Sequence, residues 1–204
     1  MLLIGFFFSS TLSVSAQVAD VYIQVGASYT AFLRKSNIKI DNGLLSPQVG
    51  AGLSFYLDDE RLWKIKAELK SSGRYYDTSY PESEFHFRTF GLEINSLAEY
   101  TFSEKIGFEA GLGVYFYQIF LIENSSYISL GNQDRSLDVN LIVGGSYQLY
   151  KPLSVGFRTS FGLIPMVKTQ SVGKYGDMDG EKNLLNALTP ELFIRSKLYR
   201  RNKE

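Results

Sequence analysis

The sequence predicts an all-β fold, an eight-stranded antiparallel up-and-down transmembrane β-barrel that follows a cleaved signal peptide. Three observations predict it. Eight segments alternate apolar and polar residues, which is the period of a β-strand. Their connections alternate between short turns and long polar loops, and their polar faces are rich in glycine and serine. This combination is typical of barrels that cross an outer membrane with their strands.

The N-terminus has the pattern of a secretory signal peptide. Residues 1–16 read MLLIGFFFSSTLSVSA, with an apolar run from Leu2 to Phe8 and small residues before an expected cleavage after Ala16. The apolar run is far shorter than the roughly 20 residues that a membrane-spanning helix needs. We therefore expect an exported protein in which residues 17–204 form the barrel domain.

The first four strands are predicted from alternation on odd- or even-numbered positions. In residues 21–33 and 46–57 the odd-numbered residues are apolar and the even-numbered ones are mostly polar or small. Residues 62–75 contain WKIKAELK, in which every odd position is apolar and every even position is charged. In residues 87–102 the parity is reversed, and Leu97 is the exception on the polar face.

The last four strands follow the same rule. Residues 106–121 place apolar side chains on even positions and glycine, glutamate and tyrosine on odd ones. Residues 136–149 and 153–164 place apolar side chains on odd positions, against Asp, Asn, Gly, Ser and Arg. In residues 184–199 charged residues occupy odd positions and leucine and isoleucine even ones. Eight strands with period 2 result.

The connections predict how the strands are arranged. Tight turns are expected at DDER (58–61), SEK (103–105) and YKP (150–152). Long polar loops are expected at residues 34–45, 76–86, 122–135 and 165–183. Short turns on one rim and long loops on the other are the arrangement of outer-membrane barrels. With an even strand count, both termini come to the short-turn rim, which is the periplasmic one.

Glycine and aromatic residues predict which face meets lipid. Glycine weakens a strand and suits a solvated face poorly, but in a narrow barrel it makes room for large side chains in the lumen. Aromatic residues on the apolar face flank the tight turns, where an interfacial girdle belongs. These lipid-interface aromatics are Phe55, Trp63, Tyr100, Phe102, Phe108 and Tyr147. The apolar face is therefore predicted to face lipid.

The charged face is then predicted to fill the lumen. A buried charge without a partner is costly, so we expect these side chains to pair with one another. The predicted lumen charge network comprises Lys64, Lys66, Glu68, Lys70, Glu93, Glu99, Glu109, Asp138, Arg158, Glu191, Arg195 and Lys197. Two alternatives stay open: a conducting pore lined by the same residues, and a soluble lipocalin-like barrel with the apolar face inside.

Composition and motifs give little indication of catalysis. Lys and Arg number 21 and Asp and Glu number 21, so no basic excess would attract nucleic acid. The absence of cysteine excludes disulfides, thiolate metal sites and cysteine nucleophiles. The one histidine, His86, matches no catalytic motif. Asp177, Asp179 and Glu181 form only a weak candidate for a divalent-ion site, and we expect neither an enzyme nor a cofactor.

One stretch resembles a known family. Residues 90–116, FGLEINSLAEYTFSEKIGFEAGLGVYF, combine a strand with a Leu-Glu-Ile core and an aromatic end, a short turn and a glycine-rich strand. This stretch resembles the small outer-membrane β-barrel family typified by PorT-like proteins. The resemblance implies the barrel fold, and the family includes a component linked to protein secretion. It implies no functional residues.

Three functions are compatible with the sequence. The first is a non-enzymatic subunit of a larger outer-membrane assembly, such as a secretion, insertion or uptake machine. The second is a stand-alone surface barrel for adhesion or envelope integrity, and the third is a soluble carrier of a hydrophobic ligand. For the first we expect outer-membrane lipid and other outer-membrane or periplasmic proteins as partners, in a Gram-negative bacterium.

Overall fold

A computed structural model describes residues 18–33, 40–57, 62–80, 83–123, 126–129, 137–164, 167–170 and 182–200. The predicted signal peptide, residues 1–16, lies outside the described residues. The strands are β1 (Val18–Tyr29), β2 (Ala31–Leu33), β3 (Ile40–Tyr56), β4 (Trp63–Tyr80), β5 (Ser83–Thr101), β6 (Ile106–Glu123), β7 (Ser126–Ser129), β8 (Leu137–Tyr150), β9 (Leu153–Gly162), β10 (Val167–Gln170) and β11 (Lys182–Arg200).

Eight long strands close into a barrel. Their order is β1-β3-β4-β5-β6-β8-β9-β11, and β1 pairs with β11 to close the ring. The short strands β2 and β10 pair with β11, and β7 pairs with β6. All these pairings are antiparallel, so the predicted eight-stranded up-and-down barrel is confirmed. Among the described residues, no helix is long and apolar enough to cross a membrane.

Side-chain burial follows the predicted alternation. In β4 the apolar side chains of Trp63, Ile65 and Leu69 are exposed on the outer wall, whereas Lys64 and Lys70 are buried inside. The same alternation continues around the ring. The barrel therefore encloses its charged residues and presents its apolar residues to the surroundings.

Two short turns and both ends of the described chain lie at one rim. Residues 102–105 join β5 to β6, and residues 151–152 join β8 to β9. β3 ends and β4 begins at the same rim, and the predicted turn between them, residues 58–61, lies outside the described residues. Val18 lies opposite Phe55 near the end of β3, and Asp20 lies opposite Arg200. We call this edge of the barrel the short-turn rim and the other edge the loop rim.

The predicted loops at the loop rim are shorter than expected. The prediction of a loop over residues 76–86 was wrong, because β4 continues to Tyr80 and pairs with β5 from Ser83 onward. Strands likewise extend into the predicted loops 34–45, 122–135 and 165–183. The 18 residues of β4 span about 60 Å along the strand at about 3.4 Å per residue. An outer-membrane apolar band is only about 25 Å tall.

Inward-facing glycines make room for aromatic rings in the lumen. A Cβ on Gly52 would lie 2.5 Å from the hydroxyl oxygen of Tyr22, and the Phe193 ring occupies the space beside Gly156. Tyr22 and Phe193 are both buried. The narrow lumen therefore holds large rings because the facing strands carry no side chain at these positions.

Candidate functional site

The lumen is filled by ion pairs that join side chains from most of the barrel strands. β4 contributes a column of inward side chains from Lys64 to Arg74, and the other strands supply their partners. Eleven of the twelve predicted lumen residues are buried and the twelfth, Lys197, is half-buried; the buried ones are Lys64, Lys66, Glu68, Lys70, Glu93, Glu99, Glu109, Asp138, Arg158, Glu191 and Arg195.

Arg158 lies at the centre of the lumen and is fully buried. Its Nη1 donates to Glu68 Oε2 at 2.6 Å. Its Nε lies 3.1 Å from Glu109 Oε1 and 2.7 Å from Glu191 Oε1. The guanidinium also stacks over the Phe193 ring, 4.5 Å from the centroid. One arginine from β9 thus connects carboxylates from β4, β6 and β11.

Arg195 forms a second connection beside the first. Its Nη2 lies 3.1 Å from Glu68 Oε1 and 3.5 Å from Glu109 Oε2. The guanidinium lies over the Tyr22 ring at 4.6 Å. The Tyr22 hydroxyl in turn donates to Glu68 Oε1 at 2.7 Å. Glu68 therefore accepts hydrogen bonds from two guanidinium groups and one hydroxyl, as a buried carboxylate requires.

Further ion pairs lie toward the short-turn rim. Lys66 Nζ lies 2.7 Å from Glu109 Oε2 and also contacts Glu99. Lys64 Nζ lies 3.2 Å from Glu99 Oε1 and 3.7 Å from Asp20 Oδ2. Asp20 also pairs with Lys197 Nζ, at 3.4 Å. These contacts tie β1, β4, β5, β6 and β11 together at this end of the lumen.

The opposite half of the lumen has its own pairs. Lys70 Nζ lies 2.7 Å from Glu191 Oε2 and 3.2 Å from Glu93 Oε2. Arg74 Nη1 donates to Asp138 Oδ2 at 2.8 Å. The Arg74 guanidinium also lies over the Tyr115 ring at 4.4 Å. Charge pairing thus extends along the lumen from Asp20 to Asp138.

Sequence reasoning missed two members of this set, Asp20 and Arg74. Both had a signal in the sequence. Arg74 continues the even-numbered column of β4, and Asp20 precedes Tyr22 and Gln24 at the period of the inward face of β1. The buried rings of Tyr22 and Phe193 had a weaker signal, because an aromatic residue suits either face of a strand.

Among the described residues, the lumen ion pairs contain as many positive as negative charges. Within the described part of the chain, the lumen ion pairs join seven cations to seven carboxylates, namely Lys64, Lys66, Lys70, Arg74, Arg158, Arg195 and Lys197 with Asp20, Glu68, Glu93, Glu99, Glu109, Asp138 and Glu191. These ion pairs cross-link the strands that surround the lumen.

A polar cavity opens at the short-turn rim. It has a volume of about 580 Å³. Its inner wall includes Lys64, Glu99 and Arg195, and its mouth is formed by the turns that carry Lys105 and Lys151. We call this cavity the vestibule. Toward the centre of the barrel it ends at Lys66 and Tyr22.

The predicted lipid-interface aromatics all lie on the outer wall near the short-turn rim. Trp63, Phe102, Phe108 and Tyr147 are exposed, and Phe55 and Tyr100 are half-buried. The Trp63 and Tyr100 rings pack with centroids 4.9 Å apart, and the Phe102 and Phe108 rings lie 6.5 Å apart. Their role at a membrane interface stays a prediction.

The outer wall also has an apolar groove across β6, β8, β9, β11 and β1. Its volume is about 930 Å³. Gly145 faces outward at its floor, directly between its strand neighbours Phe108 and Phe157. Both phenylalanines are exposed. The missing side chain leaves a hollow between two rings, which we call the Gly145 groove.

His86 and the weak ion site are the remaining candidates from the sequence. His86 lies in β5 opposite Asp77. Asp177, Asp179 and Glu181 lie outside the described residues, so the structure does not test the weak ion site. In the described ranges, no group of three His, Asp or Glu side chains is arranged to hold a metal ion.

Comparison with known proteins gives the fold. No protein-family model and no curated protein matches the sequence. Neisserial surface protein A matches with a TM-score of 0.55 at 9% identity, over 89% of this chain and 99% of that one. Ail of Yersinia pestis, in complex with the heparin analogue sucrose octasulfate, matches with a TM-score of 0.51 at 10% identity. This match covers 89% of this chain and 100% of that one.

A third solved structure belongs to the same class. The outer membrane protein OprG from Pseudomonas aeruginosa matches with a TM-score of 0.50 at 13% identity, over 90% of this chain and 98% of that one. At these identities the likeness concerns the fold. Each match extends over nearly the whole of the known protein. The chain has the fold of the small outer-membrane β-barrels.

Proposed function

We propose that this protein is a non-enzymatic barrel in the outer membrane of a Gram-negative bacterium and an accessory subunit of a larger outer-membrane assembly. The observation that carries the proposal is the lumen filled with ion pairs. A barrel whose interior is occupied by its own side chains works through its rims and its outer wall. The assembly would be a machine for secretion, insertion or uptake.

Membrane insertion is supported by the distribution of apolar surface. Leu53, Ile65, Leu69, Leu92 and Ile94 are exposed side by side on neighbouring strands. Soluble monomers rarely expose an apolar band of this kind, whereas in a membrane the lipid chains cover it. The soluble carrier would need an apolar cavity inside the barrel, but the described interior is charged.

The Gly145 groove supports a partner on the outer wall. A smooth wall would suffice to meet fluid lipid chains, whereas a hollow between Phe108 and Phe157 suits the side chain of a neighbouring protein. A site of this volume lies within the range of about 300–1,000 Å³ that is typical of binding pockets. The resemblance of residues 90–116 to PorT-like proteins fits a role beside a secretion machine, and membership of that family is part of the proposal.

The proposal is tested by purifying a tagged copy from native membranes in mild detergent, followed by native-size analysis and mass spectrometry. We expect a defined larger complex with the wild type. Gly145→Leu occupies the hollow between Phe108 and Phe157 and should abolish the complex while the barrel still folds. Ala67→Leu places the same side chain at an outward position on β4 and serves as the control.

Two outcomes would refute an accessory role. The wild type at native abundance could migrate alone, or both leucine variants could keep the complex. In either case a stand-alone surface barrel becomes the better hypothesis, and the β4–β5 hairpin favours it because its strands outreach the apolar band. Replacing residues 77–86 with a two-residue turn should then abolish surface binding without unfolding the barrel.

A further inference from the structure

The described part of the vestibule wall contains more cations than carboxylates. Among the described residues that line it, six are basic, Lys64, Lys66, Lys105, Lys151, Arg195 and Lys197. Three are acidic, Asp20, Glu99 and Glu104. A concave wall with an excess of one charge sign concentrates ions of the opposite sign. The chemistry of the wall therefore suits an anion.

The inner cations are held in place by the lumen ion pairs. Glu99 contacts Lys66 and lies 3.2 Å from Lys64 Nζ and 4.0 Å from Arg195 Nη1. Asp20 holds Lys64 and Lys197 at 3.7 and 3.4 Å. Lys66 also pairs with Glu109, and Arg195 with Glu68 and Glu109, so four carboxylates hold these four cations in place. The excess positive charge of the described wall therefore lies at the mouth, on Lys105 and Lys151. A ligand meets these charges already positioned, which lowers the entropy cost of binding.

The cations at the mouth differ from the inner ones. Lys105 and Lys151 are exposed, and no carboxylate in the described ranges forms an ion pair with either ammonium group. Gln148 links their two turns, since its backbone N–H donates to the Lys105 carbonyl at 2.7 Å. Its side-chain amide donates to the Tyr150 and Leu153 carbonyls, at 2.8 and 3.0 Å. The two lysines therefore share one side of the mouth.

We propose that the vestibule binds a small multivalent oxyanion, a molecule with two or more phosphate or carboxylate groups. One group would meet Lys105 and Lys151 at the mouth, and another would reach Lys64 and Lys197 inside. An anion with a single charge would gain little binding free energy, because Asp20 and Glu99 already pair with the inner cations. The cavity volume of about 580 Å³ lies within the range of small-molecule sites. Ser146 in the wall adds a hydroxyl, whereas the Ser54 and Ser154 hydroxyls already donate to Asp20 Oδ2 and to the Arg195 carbonyl.

The test is isothermal titration of the full-length protein in non-ionic detergent with inorganic triphosphate and, separately, with citrate. We expect saturable binding that weakens as ionic strength rises. The double variant Lys105→Ala/Lys151→Ala should weaken it about tenfold, because two favourable charge interactions are lost. Glu104→Gln should tighten it. Both sites of change lie in surface turns, and a heat-dependent gel shift verifies that each variant is folded.

A matched control separates this site from general charge attraction. Lys168 in β10 and Lys182 in β11 lie near the loop rim, and Lys168→Ala/Lys182→Ala removes the same total charge. We expect this variant to bind as the wild type does. Binding of triphosphate alone assigns phosphate chemistry, and binding of citrate alone assigns carboxylate chemistry. The proposal is overturned if neither ligand binds, or if both double variants lose affinity equally.

Discussion

Arg158 shows why single residues matter in this lumen. It is fully buried and forms ion pairs with Glu68, Glu109 and Glu191. A buried ion pair is a weak source of stability when it is compared with well-packed apolar residues. The loss of one partner is costly, however, because the other charges remain in a medium that solvates them poorly.

Arg158→Met should therefore destabilise the barrel by about 3–5 kcal/mol, since three carboxylates lose a common partner. Arg158→Lys should have a smaller effect, because it keeps the charge and loses the fork-shaped set of donors. The measurement is the unfolding transition in detergent, followed by the gel shift of unheated samples. Lys105→Met, in an exposed turn, is the control that should behave as the wild type. An Arg158→Met barrel of unchanged stability would contradict this prediction.

The sequence predicted most of the lumen residues because charge and period coincide there. Lys66 and Glu109 alternate with apolar neighbours and Arg158 follows Phe157, so parity assigns all three to the inner face. Which cation pairs with which carboxylate could not be predicted, since the pairing depends on the register between strands. Leu97 shows the limit of the parity rule, for it is apolar and yet buried inside.

At the scale of one strand, β8 contains two adjacent glycines with opposite roles. Gly144 faces the lumen, where a Cβ would lie 2.5 Å from Arg158 Cβ and 2.6 Å from the Phe157 carbonyl oxygen. Gly145 faces outward, and the nearest atom to its Cβ would be the Gly107 carbonyl oxygen at 3.3 Å. Position 144 has no room for a methyl group. Position 145 can accept one after a small shift of the neighbouring backbone.

Gly144→Ala should destabilise the barrel by about 1–3 kcal/mol through overpacking. Gly145→Ala should be neutral or stabilise slightly, because alanine restricts the unfolded chain. Equilibrium unfolding of both variants in urea with lipid vesicles measures the difference. Equal effects at the two positions would show that the inward and outward assignment of β8 is incorrect.

The strand ends at the loop rim explain where sequence reasoning failed. Inside a membrane, one face meets lipid and the other meets the lumen, so period 2 marks the strand. Beyond the apolar band both faces of a strand can meet water, and alternation is no longer required. Residues 76–86 contain charged residues and a proline and therefore suggested a loop. Backbone pairing of β4 with β5 continues nonetheless.

For the whole molecule, the filled lumen predicts a barrel that does not conduct. The ion pairs around Glu68, Arg158 and Arg195 occupy the centre of an eight-stranded barrel, whose interior is barely wider than its own side chains. We expect no steady ionic current when the purified protein is inserted into a planar bilayer. An open porin inserted under the same conditions is the positive control. Reproducible unitary currents from the wild type would support the pore alternative.

The direction of the barrel in the membrane can be tested directly, because the chain contains no cysteine. Ser103→Cys places a thiol in an exposed turn at the short-turn rim, and Ser83→Cys places one at the loop rim. A membrane-impermeant maleimide added to whole cells should label the second variant only. After the outer membrane is permeabilised, the Ser103→Cys variant should be labelled as well. The reverse pattern would contradict the proposed periplasmic location of the termini.

The equal numbers of opposite charges among the described lumen residues also affect how the barrel responds to an electric field. Moving one elementary charge through a membrane voltage involves about 2.3 kcal/mol per 100 mV. Each lumen cation has a carboxylate within 4.0 Å, so the two lie at nearly the same depth. The forces on the two members of a pair therefore cancel. A change in voltage across the membrane exerts almost no net pull on the contents of this lumen.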